Sequence, residues 1–210
     1  MSNTLLKSLA LMLLLAAGWP TQAAPTPEQR LKQFLAKAST LQAEFVQVQV
    51  DEKGQSGKRS SGMFYLQRPG KFRWNYTQPY QQEIVSGAGK VWFYDKDLAQ
   101  VTAKKLDQAI GSTPALLLTG DVPLEKNFTL ESQSDEEGIA ILKLIPKSED
   151  SGFKYVQIGL ENEVLVGMEL SDNFGQLTRI YFNHLKTGVR IDPALFAFKP
   201  PAGVDVFEDP

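Results

Sequence analysis

The sequence predicts a mainly β protein (α+β class) with a single antiparallel sheet and a few helices that cover one of its faces. At least ten short runs of β-forming residues, separated by turn residues, are typical of an antiparallel meander. One amphipathic helix precedes these runs, and one leucine-rich segment interrupts them. The 210 residues are 42% hydrophobic and include 12 Phe, 3 Trp and 6 Tyr. This is enough to fill one sizeable core, so we expect one domain.

Charge and composition exclude several classes of function. The 22 Lys and Arg residues against 24 Asp and Glu residues give a net charge of -2, which provides no basic surface for nucleic acid. The chain has no Cys, so it has no disulfide, no thiolate nucleophile, no cysteine zinc site and no lipid attached to a cysteine. The single histidine, His184, follows a predicted strand, and no G-x-S-x-G elbow accompanies it. We therefore expect no enzyme activity, metal site or cofactor.

The N-terminal segment predicts a secretory signal peptide. Lys7 precedes an apolar run from Leu9 to Ala17, and Trp19-Pro20 ends it. This run is shorter than the roughly 20 apolar residues that a membrane-spanning helix needs. We expect cleavage after Ala23, which makes residues 1–23 the signal peptide and residues 24–210 a single soluble, exported domain without a stable membrane insertion.

The first element of the exported chain is a helix, predicted from Thr26 to Ser39. Thr26-Pro27-Glu28-Gln29 combines an N-cap residue, a proline at the first helical position and a glutamine three residues after the cap. One apolar stripe follows at helical spacing, formed by Leu31, Phe34, Leu35 and Ala38.

After Leu41 the apolar period changes from helical to alternating, which predicts strands. The predicted strands are Val46 to Val50, Gly62 to Gln67, Phe72 to Tyr76, Glu83 to Ser86, Val91 to Tyr94, Ala99 to Ala103, Phe128 to Ser132, Ile139 to Ile145, Phe153 to Leu160, Val164 to Leu170 and Leu177 to Phe182.

One turn matters for the register between two of these strands. A two-residue turn at Pro69-Gly70 would pair Arg68 with Lys71 and Gln67 with Phe72. Arg68 would then lie on the sheet face opposite Phe72, and the same pairing would put Trp74, Tyr65 and Met63 on the face of Phe72. If Arg68 and Phe72 both lie near the cavity, either the turn carries a bulge that resets this parity or Phe72 lies at the rim.

Residues 104 to 126 interrupt the strands, and we expect two short helices there. Thr113 can cap a helix that has Pro114 in its first turn and ends at Gly120. Three consecutive leucines, Leu116, Leu117 and Leu118, make its apolar surface too wide for one stripe. The segment is either a buried plug or a cover for something apolar that comes and goes. We expect this segment and the first helix to lie over one face of the same sheet.

Aromatic residues alternate along one predicted strand at Phe72, Trp74 and Tyr76. Together with the apolar helices they supply a large hydrophobic surface. Such a surface encloses either an ordinary core or a hydrophobic ligand, and the residues alone leave this choice open.

An ordered set of segments resembles the outer-membrane lipoprotein carrier (LolA) family of Gram-negative bacteria. These segments are residues 67–79 (QRPGKFRWNYTQP), Ile84-Val85-Ser86, residues 90–95 (KVWFYD), Gly111-Ser112-Thr113-Pro114 and residues 196–206 (FAFKPPAGVDV). The resemblance implies a monomeric periplasmic chaperone with a curved antiparallel sheet that forms an unclosed barrel, covered on its concave face by the N-terminal helix and short lid helices. It also implies three partners: triacylated lipoproteins, an ATP-driven release complex of the inner membrane and a lipid-anchored acceptor on the outer membrane.

The resemblance also implies residue roles. Arg68 matches an arginine that holds the lid closed by hydrogen bonds to lid carbonyls, and Phe72 matches a phenylalanine needed for hand-off of the cargo. Residues expected to line the acyl-chain cavity and lid are Leu31, Phe34, Leu35, Trp74, Leu116, Leu117 and Leu118. The chain departs from the family where Ser86-Gly87-Ala88-Gly89 replaces a common Ser-Asp-Gly turn. The alternative function is an exported binding or sensor domain for a free small lipid.

Overall fold

A computed structural model describes residues 24–51, 55–106, 108–109, 113–120, 123–134, 138–148 and 151–208. The predicted signal peptide lies outside the described residues. The elements in chain order are α1 (Pro27–Lys37), β1 (Thr40–Val50), β2 (Ser56–Gln67), β3 (Lys71–Gln78), β4 (Gln82–Gly87), β5 (Lys90–Asp95), β6 (Gln100–Lys105), α2 (Leu116–Thr119), α3 (Leu124–Asn127), β7 (Phe128–Ser134), β8 (Ala140–Pro146), β9 (Phe153–Glu161), β10 (Val164–Asp172), β11 (Leu177–Thr187), a 3₁₀ helix (Pro193–Phe196) and β12 (Asp205–Glu208).

All twelve strands form one sheet, in the order β12-β6-β5-β4-β3-β2-β1-β11-β10-β9-β8-β7. Two meanders, β1 to β6 and β7 to β11, join where β1 pairs with β11. Over the described residues the outermost strands β7 and β12 are not paired with each other. The predicted fold class, mainly β with one unclosed sheet and few helices, is confirmed.

The last strand departs from the antiparallel expectation. β12 pairs with β6 in parallel, with Asp205 opposite Gln100. No sequence pattern predicted this strand or the 3₁₀ helix before it. A strand that reaches the sheet edge after a long crossing connection is not restricted to the antiparallel direction that a hairpin imposes.

The first helix begins as predicted. The Thr26 hydroxyl accepts a hydrogen bond from the Gln29 amide (3.3 Å), and the Gln29 side chain accepts one from the Thr26 amide (2.9 Å). This reciprocal pair satisfies two of the amides that a helix start leaves without partners. The helix ends at Lys37, slightly before the predicted Ser39, because β1 already begins at Thr40.

One face of the sheet, which we call the inner face, is the apolar one. Its register aligns Ala43, Phe64, Trp74 and Ile84 on four neighbouring strands, and Phe45 with Phe182 across the junction of the two meanders. The apolar stripe of α1 and the three leucines of α2 belong to the same core. The prediction that both helical segments lie over one face of the same sheet is therefore confirmed.

The opposite face carries a smaller apolar layer under the C-terminal segment. Phe198 lies with its ring centroid 5.5 Å from that of Trp92 and 5.8 Å from that of Tyr94. Arg73 fixes the segment, because its Nη1 donates to the Leu195 carbonyl (3.1 Å) while its Nη2 pairs with Glu83. The C-terminal residues thus cover the outer face and leave the inner face to the two helical segments.

The predicted register at the β2–β3 turn is wrong. Gln67 pairs with Lys71 and Leu66 with Phe72, so the connection is a three-residue loop, Arg68-Pro69-Gly70. The extra loop residue inverts the parity of one strand relative to the other. Phe72 and Trp74 therefore lie on the inner face, whereas Met63 and Tyr65 point to the outer face.

The leucine-rich segment is only partly as predicted. Gly120 ends α2 in the left-handed conformation (φ 82°), as expected, but the N-cap is Ala115 and no side chain caps the helix. Thr113 instead contributes its carbonyl, which accepts from the Leu116 amide (3.4 Å). The segment is tighter than an α-helix because several of its bonds span three residues. The second described helix is α3, beyond the leucines, whereas the described residues at 106 and 108–109 form a turn.

Candidate functional site

Arg68 connects the sheet to both covering helices. It lies in the β2–β3 loop, where its Nη1 donates to the Leu35 carbonyl of α1 and its Nε donates to the Thr119 carbonyl at the end of α2 (3.2 Å). Its backbone amide also donates to the Ser39 carbonyl (2.8 Å). We call Arg68 with these two helix carbonyls the latch. One planar side chain thus holds two separate segments against the same sheet.

The acceptors of the latch are groups that need a partner. The last carbonyls of a helix have no intrahelical donor, and Leu35 and Thr119 both lie in the last turn of their helices. A positive charge at the C-terminal end of α1 is also favoured by the helix dipole. Hydrogen bonds from a charged donor each contribute roughly 1.5 to 3 kcal/mol.

Two neighbours fix the position of the latch. Ser86, which is buried, donates from its hydroxyl to the Gly70 carbonyl (2.6 Å) and so anchors the loop that carries Arg68. Gly120 packs directly against the guanidinium, and a Cβ placed there would overlap Nη2. The close approach requires glycine at this position.

Surface ion pairs add a weaker attachment for α1. Lys32 pairs with Glu125 of α3 (2.5 Å), and Lys37 pairs with Glu163 in the β9–β10 turn (3.2 Å). The Lys32 ammonium lowers the pKa of the Glu125 carboxyl through their hydrogen bond. All four side chains are largely exposed, and exposed pairs contribute little. The latch is therefore the dominant polar link between helices and sheet.

The structure brings the sequence-predicted cavity residues into one core. Leu31, Phe34, Leu35, Trp74, Leu116, Leu117 and Leu118 are all buried there, together with Phe72, the residue predicted for hand-off. The three lid leucines are at most 1% exposed, so they fill the space against the inner face. We call residues 113–120, which cover this part of the inner face, the lid segment.

Trp74 lies at the centre of this core among other aromatic rings. The centroids of Phe64, Phe45 and Phe182 are 4.7, 5.0 and 6.1 Å from its own. The indole is 1% exposed. Its Nε1 finds no hydrogen-bond acceptor in the described part of the chain.

The end of the inner face far from the latch is polar. A cleft of about 420 Å³ opens there, lined by residues that include Gln47, Gln49, Tyr76, Tyr80 and Leu98. At its floor the Tyr76 hydroxyl donates to the Gln47 amide oxygen (2.9 Å). Burial raises the pKa of Tyr76, so its hydroxyl stays neutral at physiological pH. We call this cleft the mouth.

The sequence reasoning missed the mouth residues. Gln47 and Gln49 share the parity of Phe45 along β1, so they face the inner side, and the valines between them face outward. The sequence signal that could have identified them is the alternation along β1, because Gln47 and Gln49 fall on the same side of the strand as Phe45.

The described residues contain no group of three or more His, Cys, Asp or Glu side chains that could hold a metal ion. His184 is exposed in β11, and its Nδ1 lies 3.2 Å from a Glu44 carboxylate oxygen. Within the same described ranges, no helix is long and apolar enough to cross a membrane. Asp95 accepts hydrogen bonds from the amides of Asp97 and Leu98 (both 3.0 Å), which is the use of an aspartate in a tight turn.

Comparison with known proteins gives one family over most of the chain. The model of the family described as outer membrane lipoprotein carrier protein LolA matches residues 36–199. A protein named outer-membrane lipoprotein carrier protein from Methylococcus capsulatus is 66% identical over 196 residues, which are 93% of this chain and 94% of that protein. One of the same name from Nitrosomonas europaea is 44% identical over 180 residues, covering 85% of this chain and 87% of that protein.

A solved structure is similar in fold alone. An uncharacterized conserved protein from Thermus thermophilus is 17% identical, with a TM-score of 0.51 over 87% of this chain and 97% of that chain.

Proposed function

The chain belongs to the outer-membrane lipoprotein carrier (LolA) family and is a lipoprotein chaperone, and from this membership we propose how and where it acts. It binds the acyl chains of lipoproteins released from the inner membrane, on the inner face of its sheet and under the displaced lid segment. It delivers them to an acceptor at the outer membrane as a monomer. It performs this work by binding, without catalysis.

The observation that carries this proposal is the lid segment itself. Leu116, Leu117 and Leu118 are buried against the inner face, and Arg68 holds the end of their helix there by its hydrogen bond to the Thr119 carbonyl. Transfer of one buried CH₂ into water costs about 0.8 kcal/mol, so an acyl chain of a dozen methylenes costs roughly 10 kcal/mol. When the three leucines leave the inner face, they expose an apolar surface. Burial of the acyl chains on that surface then replaces the burial of the leucines and contributes a comparable free energy.

The energetics also define the partners that we propose. Extraction of acyl chains from a bilayer needs an energy source, and the sequence has no G-x-x-x-x-G-K-[ST] loop to bind ATP. An ATP-driven release complex of the inner membrane therefore supplies triacylated lipoproteins. A lipid-anchored acceptor on the outer membrane then removes them, because it binds the chains more tightly or stays open.

The signal peptide is part of the proposal. Residues 1–23 direct export to the periplasm and are removed after Ala23, and residues 24–210 act as one carrier domain. The intact mass of the exported protein tests this, and a mass that retains the first 23 residues would contradict it.

The proposed function is tested with a cysteinyl peptide that carries three palmitoyl chains. We expect the purified exported protein to keep this lipopeptide in solution at a one-to-one ratio and to release it to the acceptor. Lipids extracted from the protein as purified provide the control for the alternative function. Stoichiometric free fatty acid or phospholipid, together with failure to bind the lipopeptide, would favour a lipid sensor.

Phe72 offers a separate test of the hand-off role. Phe72→Leu keeps an apolar side chain at this fully buried position but removes some of its volume, so we expect a stability loss of roughly 1 to 2 kcal/mol. Phe72→Ala is expected to cost roughly 3 to 5 kcal/mol because it leaves a cavity. If Phe72 acts in hand-off, Phe72→Leu lowers the transfer rate more than its fall in melting temperature, a few degrees, accounts for. Transfer that falls only in proportion to stability across both variants would reduce Phe72 to a packing residue.

A further inference from the structure

Trp74 carries a buried donor for which the described residues provide no acceptor. A buried N–H without an acceptor destabilises the folded state, and such groups are rare in folded proteins. The inner face fills comparable space with Phe45, Phe64 and Phe182, which have no donor to satisfy. A phenylalanine at position 74 would provide a smaller apolar ring without an unpaired N–H, so the indole fills more space but buries a polar group that the neighbouring rings lack.

The position of Trp74 along β3 is the second observation. Phe72 lies at the latch end of the inner face, Trp74 follows, and Tyr76 stands at the floor of the mouth. The Tyr76 hydroxyl already has an acceptor in Gln47. Along β3 the inner face is thus apolar at Phe72, carries one unpaired N–H at Trp74 and becomes polar at Tyr76.

A triacylated cysteine has the same gradient of polarity. Each of its acyl chains is hydrocarbon up to one carbonyl, either an ester or an amide, and beyond the carbonyls come the cysteine and the peptide. With the chain ends toward Phe72 and the peptide at the mouth, the carbonyls pass the level of Trp74. A carbonyl oxygen is the acceptor that the indole lacks.

We propose that the Trp74 indole N–H donates a hydrogen bond to an acyl carbonyl of the cargo once the lid segment is displaced. Trp74 then fixes the depth at which the chains sit and favours lipids that carry a carbonyl over bare hydrocarbon. This inference rests on the proposed carrier function, and it identifies the Trp74 indole N–H as the donor that recognises an acyl carbonyl of the cargo.

Trp74→Phe tests the inference in the exported protein, with the tripalmitoyl cysteinyl peptide labelled with ¹³C at its acyl carbonyls. The infrared band of a labelled carbonyl is expected to shift to lower frequency on binding to the unchanged protein, and this shift is expected to disappear in Trp74→Phe. The dissociation constant is expected to rise roughly five- to tenfold, the effect of one hydrogen bond. The melting temperature of the unliganded variant is expected to change little, because removal of the unpaired donor offsets the small cavity that the smaller phenylalanine ring leaves.

Trp92→Phe is the matched control, since Trp92 packs on Phe198 at the outer face. It is expected to change neither the infrared shift nor the affinity. A bound carbonyl at its unshifted frequency, or equal affinities of the unchanged protein and Trp74→Phe, would overturn the role of Trp74 while the carrier function stands. Failure of the unchanged protein to bind the lipopeptide would overturn the carrier function as well.

Discussion

Arg68→Leu is expected to load the lipopeptide as the unchanged protein does and to pass it to the acceptor at least about tenfold more slowly. The lid leucines and the acyl chains compete for the same inner face. The latch stabilises the closed lid by two charge-assisted hydrogen bonds, each worth roughly 1.5 to 3 kcal/mol. Without them the lid closes less readily behind a departing chain, so the apparent affinity for cargo rises and release slows.

Loading and transfer are measured in one reconstituted system. Arg59→Leu is the matched control, because Arg59 is an exposed arginine of β2, the strand that leads into the loop of Arg68. Arg68→Lys is expected to be intermediate, since an ammonium replaces the planar fork. The melting temperature of Arg68→Leu reports whether the fold is retained. Equal transfer by the unchanged protein and Arg68→Leu would reject the latch.

Gly120→Ala is expected to reproduce part of the transfer defect of Arg68→Leu and to lower stability. The alanine would adopt a left-handed conformation (φ 82°), which costs roughly 1 to 2 kcal/mol. Its Cβ would also overlap the guanidinium of Arg68 and push it from the helix carbonyls. The strain lowers the melting temperature, and the displaced guanidinium slows transfer.

Gly203→Ala separates these two effects. Gly203 has nearly the same backbone angle (φ 81°), but a Cβ there meets nothing within 4 Å. We expect it to share the strain and to leave transfer unchanged. A double variant adds a second check, because Gly120→Ala should slow transfer no further once Arg68 is leucine. If Gly120→Ala and Gly203→Ala transfer cargo equally well, the contact between Gly120 and the Arg68 guanidinium does not affect transfer.

Local patterns predicted most of the elements. The capping box at Thr26 predicted correctly where the first helix begins, because its hydrogen bonds join residues that are close in the chain. The predicted end, Ser39, lies two residues beyond the observed end at Lys37. The strands Glu83 to Ser86 and Val91 to Tyr94 were likewise predicted, and Ala88 and Gly89 between them have the positive φ angles that hairpin turns need.

The face of each strand was harder to predict. One additional residue in the loop after Gln67 inverted the parity that we expected for Phe72. On β1 a regular alternation of valine and glutamine did not reveal that the glutamines face inward, because the inner face becomes polar beyond the lid. Alternation separates two faces but does not identify which of them is covered.

The latch itself has almost no sequence signal of its own. Both acceptors of the Arg68 side chain are backbone carbonyls, which every residue possesses. The residue types of Leu35 and Thr119 therefore do not predict the contact. Only the family resemblance suggested it. The unpaired indole of Trp74 depends on which rings surround it, which again follows from strands distant in sequence.

The junction of the two meanders has a consequence for the order of folding. Hairpins between neighbouring strands can form as soon as both strands are present, but β1 pairs with β11, and Leu41 lies opposite Thr187. A chain that crosses the membrane from its N-terminus therefore exposes the free edge of β1 until almost all of it has been exported. During that interval the apolar residues of the first meander lack the strands and lid segment that later cover them. If the chain is exported as we propose, its first meander therefore has an exposed strand edge and exposed apolar residues that can aggregate until β11 arrives.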